Sequence, residues 1–537
     1  MPTTRARAAS RLASMLAAAL LVPAAGLSVV QGAGAAPAVA STAAASPAGP
    51  IVLRHVSYTG ASVIDEAELQ ALAQPLLNRP LRWTDLEELR QRVTRMYIAR
   101  GYVSSGARLD DSRLAEGVLQ VRVIEGRIDQ WRMQGLGRLS PAYVQARLAR
   151  AGEPLDVNQL QERMHLLLAD PLFDRLNLRL SPGAEPGQAV LEVDATRAPV
   201  WDLTLWAHNH QAPATGSRAA GATAALRNLT SWGDALVLTL GHSHGSDQGE
   251  LGATVPLMAG RTLAHLRLAQ GDSSVTEEPL QALGIASRVR TREAGLSHPV
   301  IDDARQRLVL GVLYTAREHR STLDGEPFSF VAGESTGTTR TRTWRFTQEL
   351  TLRREAVVAA LRSTFAGGRN NLAEPALLAE QAPRHYRYWQ GQAQVALGSG
   401  RGGAPWQLRA LAQIGRDRLV PLEQLSLGGR GTVRGYRENQ LVRDTGWAIG
   451  LEHHHALWGG AADRRRLTLV PFIDAGRARD RGAPATRLAS AGLGLVAAWD
   501  GWEAELFYGR RLEDPPVDTH GDLQDRGIHF SLRYRLR

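Results

Sequence analysis

The sequence predicts a mainly β protein, a transmembrane β-barrel of about 16 strands preceded by two small α+β domains. An apolar segment behind Arg5, Arg7 and Arg11 is typical of a secretory signal. From Val200 to the end, helix patterns stop and segments of about 9 to 14 residues alternate apolar and polar side chains between turns. No segment after the signal has the ~18 consecutive apolar residues of a spanning helix. A chain that crosses a membrane must then do so as a closed barrel.

Composition excludes several classes of function. The sequence has no cysteine, which rules out disulfides and thiolate metal sites. Its formal net charge is +10, yet all 63 basic residues are arginine and none is lysine. This bias indicates genome composition rather than a nucleic-acid surface, so we expect no nucleic-acid partner. Without a phosphate-binding Gly-x-x-x-x-Gly-Lys loop, we also expect no cofactor, no metal and no enzymatic activity.

The N-terminus is predicted to be a signal peptide, residues 1–38, followed by a linker, residues 39–50. The alternative is a membrane anchor. It is disfavoured because Pro23, Gly26 and many alanines make the apolar stretch weakly hydrophobic.

Two α+β domains are predicted next, at residues 51–125 and 126–198. In the first, Asp65 with Glu68 and Thr84 with Glu87 are expected to form capping boxes of two helices. The second helix has an apolar face made by Leu86, Leu89, Val93, Met96 and Tyr97. The order strand, helix, helix, strand, strand then repeats, which indicates a tandem pair.

Residues 199–537 are predicted to form the barrel. The last segment shows the pattern best, with Phe530, Leu532, Tyr534 and Leu536 on one face and Ser531, Arg533, Arg535 and Arg537 on the other. A row of arginines cannot lie in hydrocarbon, but it can line a wet lumen while the apolar face meets lipid.

Two motifs carry the predicted function. The first lies in a long loop, residues 419–446, which is too patterned for a hairpin turn. Its predicted functional residues are Gly428, Gly429, Val433, Arg434, Gly435 and Tyr436. The second is a barrel-wall motif whose members share one strand face, Phe472, Asp474 and Gly476.

These motifs resemble those of the two-partner secretion transporters, the haemolysin and filamentous-adhesin exporters of the outer-membrane assembly superfamily. The Val-Arg-Gly-Tyr tetrapeptide in a long loop is the signature of that superfamily, and Phe-x-Asp-x-Gly on a strand is a motif of the family. The resemblance implies that both α+β domains are POTRA domains in the periplasm. It also implies that the loop folds into the barrel, where Arg434 donates paired hydrogen bonds to Asp474.

The resemblance further implies the function and the partners. The protein is expected to sit in the bacterial outer membrane, to recognise an unfolded exoprotein client by the client's N-terminal secretion domain, and to export it, acting as a monomer in outer-membrane lipid. One alternative is a barrel-assembly and insertion factor, which shares the loop arginine but typically has more POTRA domains. Another is a passive porin or surface adhesin, which would need neither the paired loop nor the two preceding domains.

Three further patterns have simpler explanations. Gly241-His242-Ser243-His244-Gly245 matches a hydrolase nucleophile elbow but is expected to be a polar turn between strands. His453-His454-His455 has only two rings on one strand face and no placed carboxylate, so it is not expected to bind metal. Glu452 has the opposite parity from His453 and is expected to face the lumen. His208-Asn209-His210 is expected where the first barrel strand reaches a loop.

Overall fold

The chain forms two compact units that divide after Ala198. The computed structural model describes residues 28–29, 51–150, 152–257, 261–373, 378, 380–398, 405–460, 463–516 and 521–536. Apart from Ser28–Val29, the predicted signal peptide and linker lie outside the described residues, as does Arg537.

The first α+β domain packs two helices on a small sheet around one apolar core. Its helices are α1, Glu66–Ala73, and α2, Trp83–Ala99. Its three-stranded sheet has the order His55–Thr59, Val118–Ile124, Gly106–Asp110, and a separate short pair joins Ile51–Val52 to Pro80–Leu81. Leu86, Leu89, Val93 and Tyr97 of α2 are fully buried in the core, and Met96 packs at its edge.

The helix starts differ partly from the predicted caps. Asp65 does cap α1 by accepting from the Ala67 N–H at 3.3 Å, but Glu68 pairs with Arg100 instead of closing a capping box. The predicted Thr84 cap is wrong. Helix α2 begins two residues earlier, with Arg82 as its N-cap, and the Asp85 carboxylate accepts from the Arg82 N–H at 2.7 Å.

The second α+β domain repeats this plan. Helices α3, Pro141–Leu148, and α4, Val157–Leu168, pack on a sheet through an apolar core. Helix α4 is capped by Asp156, whose carboxylate accepts from the Asn158 N–H at 2.8 Å. The sheet order is Ser28–Val29, Phe173–Pro182, Gln188–Arg197, Arg127–Gln134.

The second unit is a closed antiparallel barrel of sixteen strands, which confirms the predicted fold. Its strands β1 to β16 are, in order, Trp201–His208, Ala219–Arg227, Ala235–Ser243, Ser246–Leu257, Thr262–Ser274, Ala286–Asp302, Gln306–Leu323, Thr338–Arg354, Val357–Asn370, His385–Leu397, Trp406–Gly415, Thr445–His453, Arg465–Arg479, Thr486–Trp499, Trp502–Arg511 and Ile528–Leu536. Short strands Glu326–Pro327 and His455–Trp458 extend this sheet. Strand β1 closes the barrel against β16, from Leu203 opposite Leu536 to His208 opposite Ser531.

Side chains alternate across the barrel wall as the sequence pattern predicts. On β3, Leu238 and Leu240 are exposed on the outer face while Thr239 is buried on the inner one. On β16, Leu532 is exposed and Ser531 is buried. The outer face is therefore the apolar one. None of the helices in the described ranges has the length and hydropathy to span a membrane.

Candidate functional site

A long loop between β11 and β12 lies inside the barrel. Residues 416–444 form this inward loop, which contains a two-stranded hairpin, Leu425–Leu427 with Leu441–Arg443. The loop contacts inward-facing side chains of strands on several sides of the wall. Leucines of the hairpin and Val433 form a buried cluster with Ala448 and Leu488 of the wall. This apolar packing holds the loop in the lumen.

Arg434 lies at the tip of the inward loop and is fully buried against β13. Its Nε and Nη2 donate to the two oxygens of Asp474, each at 2.7 Å, and its Nη1 donates to Glu452 on β12 at 2.7 Å. Its backbone N–H also donates to Asp474, at 3.0 Å. The structure therefore brings Arg434 and Asp474 together in the two-point geometry that a guanidinium favours, and Glu452 faces the lumen.

The charges around Arg434 are balanced. Arg409 on β11 lies 3.1 Å from Glu452 and 3.6 Å from Asp474, and Arg430 pairs with Glu505 at 3.0 Å. Three arginines thus face three carboxylates. The Arg434 guanidinium also stacks 3.6 Å from the centre of the Phe472 ring, a cation–π contact that explains the aromatic residue of the wall motif.

The motif glycines let the loop backbone approach the wall. Gly435 has φ +89°, and a Cβ there would lie 2.7 Å from the Gly509 carbonyl oxygen of β15. A Cβ at Gly476 would lie 3.0 Å from a methyl of Val433. Gly428 and Gly429 also have φ values that favour glycine. Side chains at these positions would push the tip away from β13 and β15.

The two residues after Gly435 contact the end of the barrel where β14 and β16 begin. The Tyr436 hydroxyl lies 2.8 and 2.7 Å from the carbonyl oxygens of Ala489 and Glu513 and can donate its proton to either one. Arg437 pairs with Asp525 in the β15–β16 loop and with Glu277 in the β5–β6 loop. The loop tip is thus tied both to the wall and to two other loops.

A second anchor lies on another part of the wall, eleven residues before Arg434, at Glu423. Its carboxylate is fully buried and accepts from Arg345 at 2.6 Å and from the Tyr388 hydroxyl at 2.7 Å. Further donors come from β8 and β7, namely Thr341, Thr343 and Arg317. The Arg317 guanidinium also donates to the Leu422 carbonyl oxygen at 2.6 Å. We call this set the Glu423 anchor.

Sequence reasoning did not single out the Glu423 anchor, Arg409 or Arg437. A signal was present, since Glu423 is a charged residue within the motif stretch and Arg345 has inward parity between Trp344 and Phe346. However, the inward or outward parity of a strand residue does not show which loop residue it contacts across the lumen.

The weaker patterns have structural roles. Ser243 ends β3 at a turn leading directly into β4, and its hydroxyl donates to the Thr215 carbonyl oxygen at 3.0 Å. His453 and His455 stack with ring centres 6.4 Å apart. Asn209 follows β1 and bonds both Ile528 and Phe530 of β16, which fastens the closing seam. Among the described residues, no cluster of histidine and acidic side chains could hold a metal ion.

Comparison with known proteins gives one consistent family. Residues 187–497 match the family model for haemolysin secretion/activation proteins of the ShlB/FhaC/HecB type, and residues 51–126 match the ShlB-type POTRA domain. An outer membrane transporter CdiB of Escherichia coli is 25% identical over 406 residues, which cover 73% of this chain and 66% of that relative. The matched part therefore spans just under two thirds of the relative's length.

Solved structures give the same fold. CdiB from Escherichia coli superposes with a TM-score of 0.73 at 20% identity, covering 100% of this chain and 99% of that one. CdiB from Acinetobacter baumannii gives a TM-score of 0.65 at 14% identity, covering 99% of this chain and 98% of that one. At these identities the likeness concerns the fold, which has a POTRA-type region followed by a barrel.

Proposed function

Because the chain belongs to the haemolysin secretion/activation protein family of two-partner secretion outer-membrane transporters, we propose that it binds an unfolded secreted partner through its POTRA domains and passes it through the barrel to the cell surface. The POTRA domains lie in the periplasm. The fully buried contact of Arg434 with Asp474 is the observation that carries the proposal, since a passive pore has no need of a loop fastened across its lumen.

In this proposal the inward loop closes the lumen at rest and moves when the client passes. Besides the apolar packing of the hairpin, the contacts that hold it are ion pairs and hydrogen bonds, which can be exchanged for water or for the polar backbone of a passing chain. The Arg434 site and the Glu423 anchor fasten the loop to different strands. Wall strands do not have to separate for the loop to move.

Client recognition is proposed to use a sheet edge of the second POTRA domain. The backbone of Ser28–Val29 pairs in parallel with Phe173–Pro182, with Ser28 opposite Arg179 and Val29 opposite Leu180. This pairing supports the edge as a place where an extended segment can add backbone hydrogen bonds without a fixed side-chain sequence. Such recognition suits a client that is unfolded in the periplasm.

The direct test is secretion of the client in cells. The gene for this protein is expressed with that of its candidate client, a large β-rich secreted protein with an N-terminal secretion domain. We expect client at the surface or in the medium only when the full chain is present. In parallel, a fragment of residues 51–197 should bind the client's N-terminal region in solution.

The control is a barrel of residues 199–537 inserted at the same level without the POTRA domains. If this barrel exports as much client as the full chain does, recognition by the POTRA domains is wrong. If neither exports client but the levels of other outer-membrane barrels depend on the full chain, the protein is an insertion factor instead.

A further inference from the structure

Exposed arginines on the outer face of the barrel are concentrated near one end. Strand β1 starts where the periplasmic domains end, so the first residues of β6, β8, β10 and β14 lie at the extracellular end of the wall. Arg292, Arg342, Arg369 and Arg387 lie there on β6, β8, β9 and β10, and Arg477 and Arg487 on β13 and β14. All six are exposed. We call them the arginine belt.

The strand register places much of this belt in one row. Arg292 lies opposite Ala316 of β7, Ala316 lies opposite Arg342, and Arg342 lies opposite Arg369. Across the barrel, Arg477 lies opposite Arg487. Arginines directly opposite each other repel, which weakens a strand pair unless an anion lies between them.

The belt also follows directly on the apolar surface. Trp344 is 60% exposed, Phe365 55% and Ile473 54%, and each shares the outer face of its strand with a belt arginine two or four residues nearer the extracellular end. Two residues along a strand correspond to about 6.5 Å. The guanidinium groups therefore lie just beyond the lipid-facing zone, at the depth of lipid headgroups.

The guanidinium groups of the belt form no ion pair with the carboxylates of the described residues. In the part of the chain that the structure describes, none of its six arginines has an ion-pair partner, whereas neighbouring Arg288 and Arg340 pair with Asp272 and Glu318. The complete use of arginine in this sequence explains why these cations are not lysine. It does not explain why they concentrate at one end of the outer wall. Few outward-facing arginines lie at the opposite end.

We infer that the arginine belt binds the phosphate groups of the phosphorylated glycolipid in the outer leaflet. Guanidinium groups bind phosphate oxygens in pairs, and a phosphate between Arg342 and Arg369 would remove their repulsion. The apolar band below would contact the acyl chains of the same lipid. The belt thereby fixes the height of the barrel in an asymmetric membrane.

The test uses the purified full chain and lipid A with both phosphates, compared with the same lipid A after dephosphorylation. The belt variant carries Arg342→Gln, Arg369→Gln and Arg387→Gln. The matched control carries Arg305→Gln, Arg354→Gln and Arg464→Gln, three exposed arginines at the periplasmic end. Both variants lose three positive charges. Native mass spectrometry counts the lipid retained, and a gel shift on boiling checks that each barrel is folded.

We expect the unchanged chain and the control to retain phosphorylated lipid A in preference to the dephosphorylated form. The belt variant should need about tenfold more phosphorylated lipid for the same retention, as expected for three exposed ion pairs. Equal retention by the belt variant and the unchanged chain, or equal loss in the control, overturns the inference. It is also overturned if the unchanged chain retains both lipids equally. This comparison does not involve the belt variant, so it holds even if that variant does not fold. Unchanged lipid retention with weakened client binding would assign the belt to a protein partner and overturn it too.

Discussion

Asp474 accepts hydrogen bonds from both the side chain and the backbone N–H of Arg434. The wall carboxylate therefore holds the backbone of the loop tip as well as the guanidinium group. Substitution of Arg434 removes only the side-chain part of this contact. Glu452 and Arg409 remain beside it in the buried cluster.

The first prediction concerns this cluster. We expect Arg434→Ala and Asp474→Ala each to reduce client export severely while the barrel still inserts, because strand pairing depends on neither side chain. Both side chains are 0% exposed, so removing one partner should destabilise the loop position by an amount near the ~3 to 5 kcal/mol of a broken buried pair. Secretion measured at matched barrel levels is the readout.

Two comparisons sharpen this prediction. The double substitution should be little worse than either single one, since residues in contact are not additive, and Arg434→Lys should restore only part of the export. Arg416→Ala, an exposed arginine at the start of the loop, is the control and should export normally. Fully additive losses would show that Arg434 and Asp474 do not act as a unit.

The second prediction concerns the Glu423 anchor. Glu423→Ala leaves Arg345 buried without its carboxylate, so the first half of the inward loop should move away from β8 and β10. Because the chain has no cysteine, a single Ser426→Cys reporter can be labelled cleanly. We expect faster labelling by a membrane-impermeant thiol reagent when Glu423→Ala is added. Glu355→Ala, in the exposed turn between β8 and β9, should leave the labelling rate unchanged.

The third prediction separates backbone strain from steric conflict at the loop tip. Gly435→Ala introduces a side chain at φ +89° and against the Gly509 carbonyl oxygen. Gly521→Ala is the matched control, because it has φ +123° with nothing within 4 Å of the added Cβ. Strain of about 1 to 2 kcal/mol should affect both, but only Gly435→Ala should reduce export. Equal export from the two variants would contradict the close contact of the tip with β15.

The fourth prediction concerns the pH dependence of the POTRA region. Partial burial raises the pKa of Glu125, but hydrogen bonds from Ser62, Val63 and Tyr97 outweigh it and leave the pKa below its usual value. A carboxyl with a lowered folded pKa stabilises the domain above its unfolded pKa of about 4.3, and this stability is lost as the pH falls through the folded value.

Denaturant unfolding of the fragment of residues 51–197 tests this from pH 7 to about 3. We expect Glu125→Gln to lower the free energy of unfolding at pH 7 and to flatten its decline below about pH 4.3. Glu66→Gln, at an exposed position on α1, should leave the decline as it is. A decline unchanged by Glu125→Gln would assign the acid sensitivity to other groups.

Local patterns predicted much of this molecule. The alternation of Leu238 with Thr239, and of Phe472 with Ile473, follows from the two-residue period of a strand. This period is enough to divide the residues of each barrel strand between the inner and outer faces. The shared face of Phe472, Asp474 and Gly476 follows from the same rule. The start of α2 was missed because Thr84 is a typical N-cap residue and Arg82 is not, and only the hydrogen bond from the Arg82 N–H to Asp85 marks Arg82 as the cap.

The remaining contacts are set by closure of the barrel. Glu423 meets Arg345 and Tyr388 although 78 and 35 residues separate them in the chain. His529 on β16 receives the Gly435 N–H at 3.2 Å from a loop 94 residues away. Which residues meet in this way depends on the path of the inward loop through the lumen, which leaves no local sequence signal.

The separation of the Arg434 site from the Glu423 anchor has a mechanical consequence. They are eleven positions apart in the chain and can separate by at most about 40 Å, so each attachment limits how far the other can travel. Release of either attachment alone leaves the inward loop held at the other and by the packing of its hairpin against the wall. Clearing the lumen therefore requires these attachments to give way together.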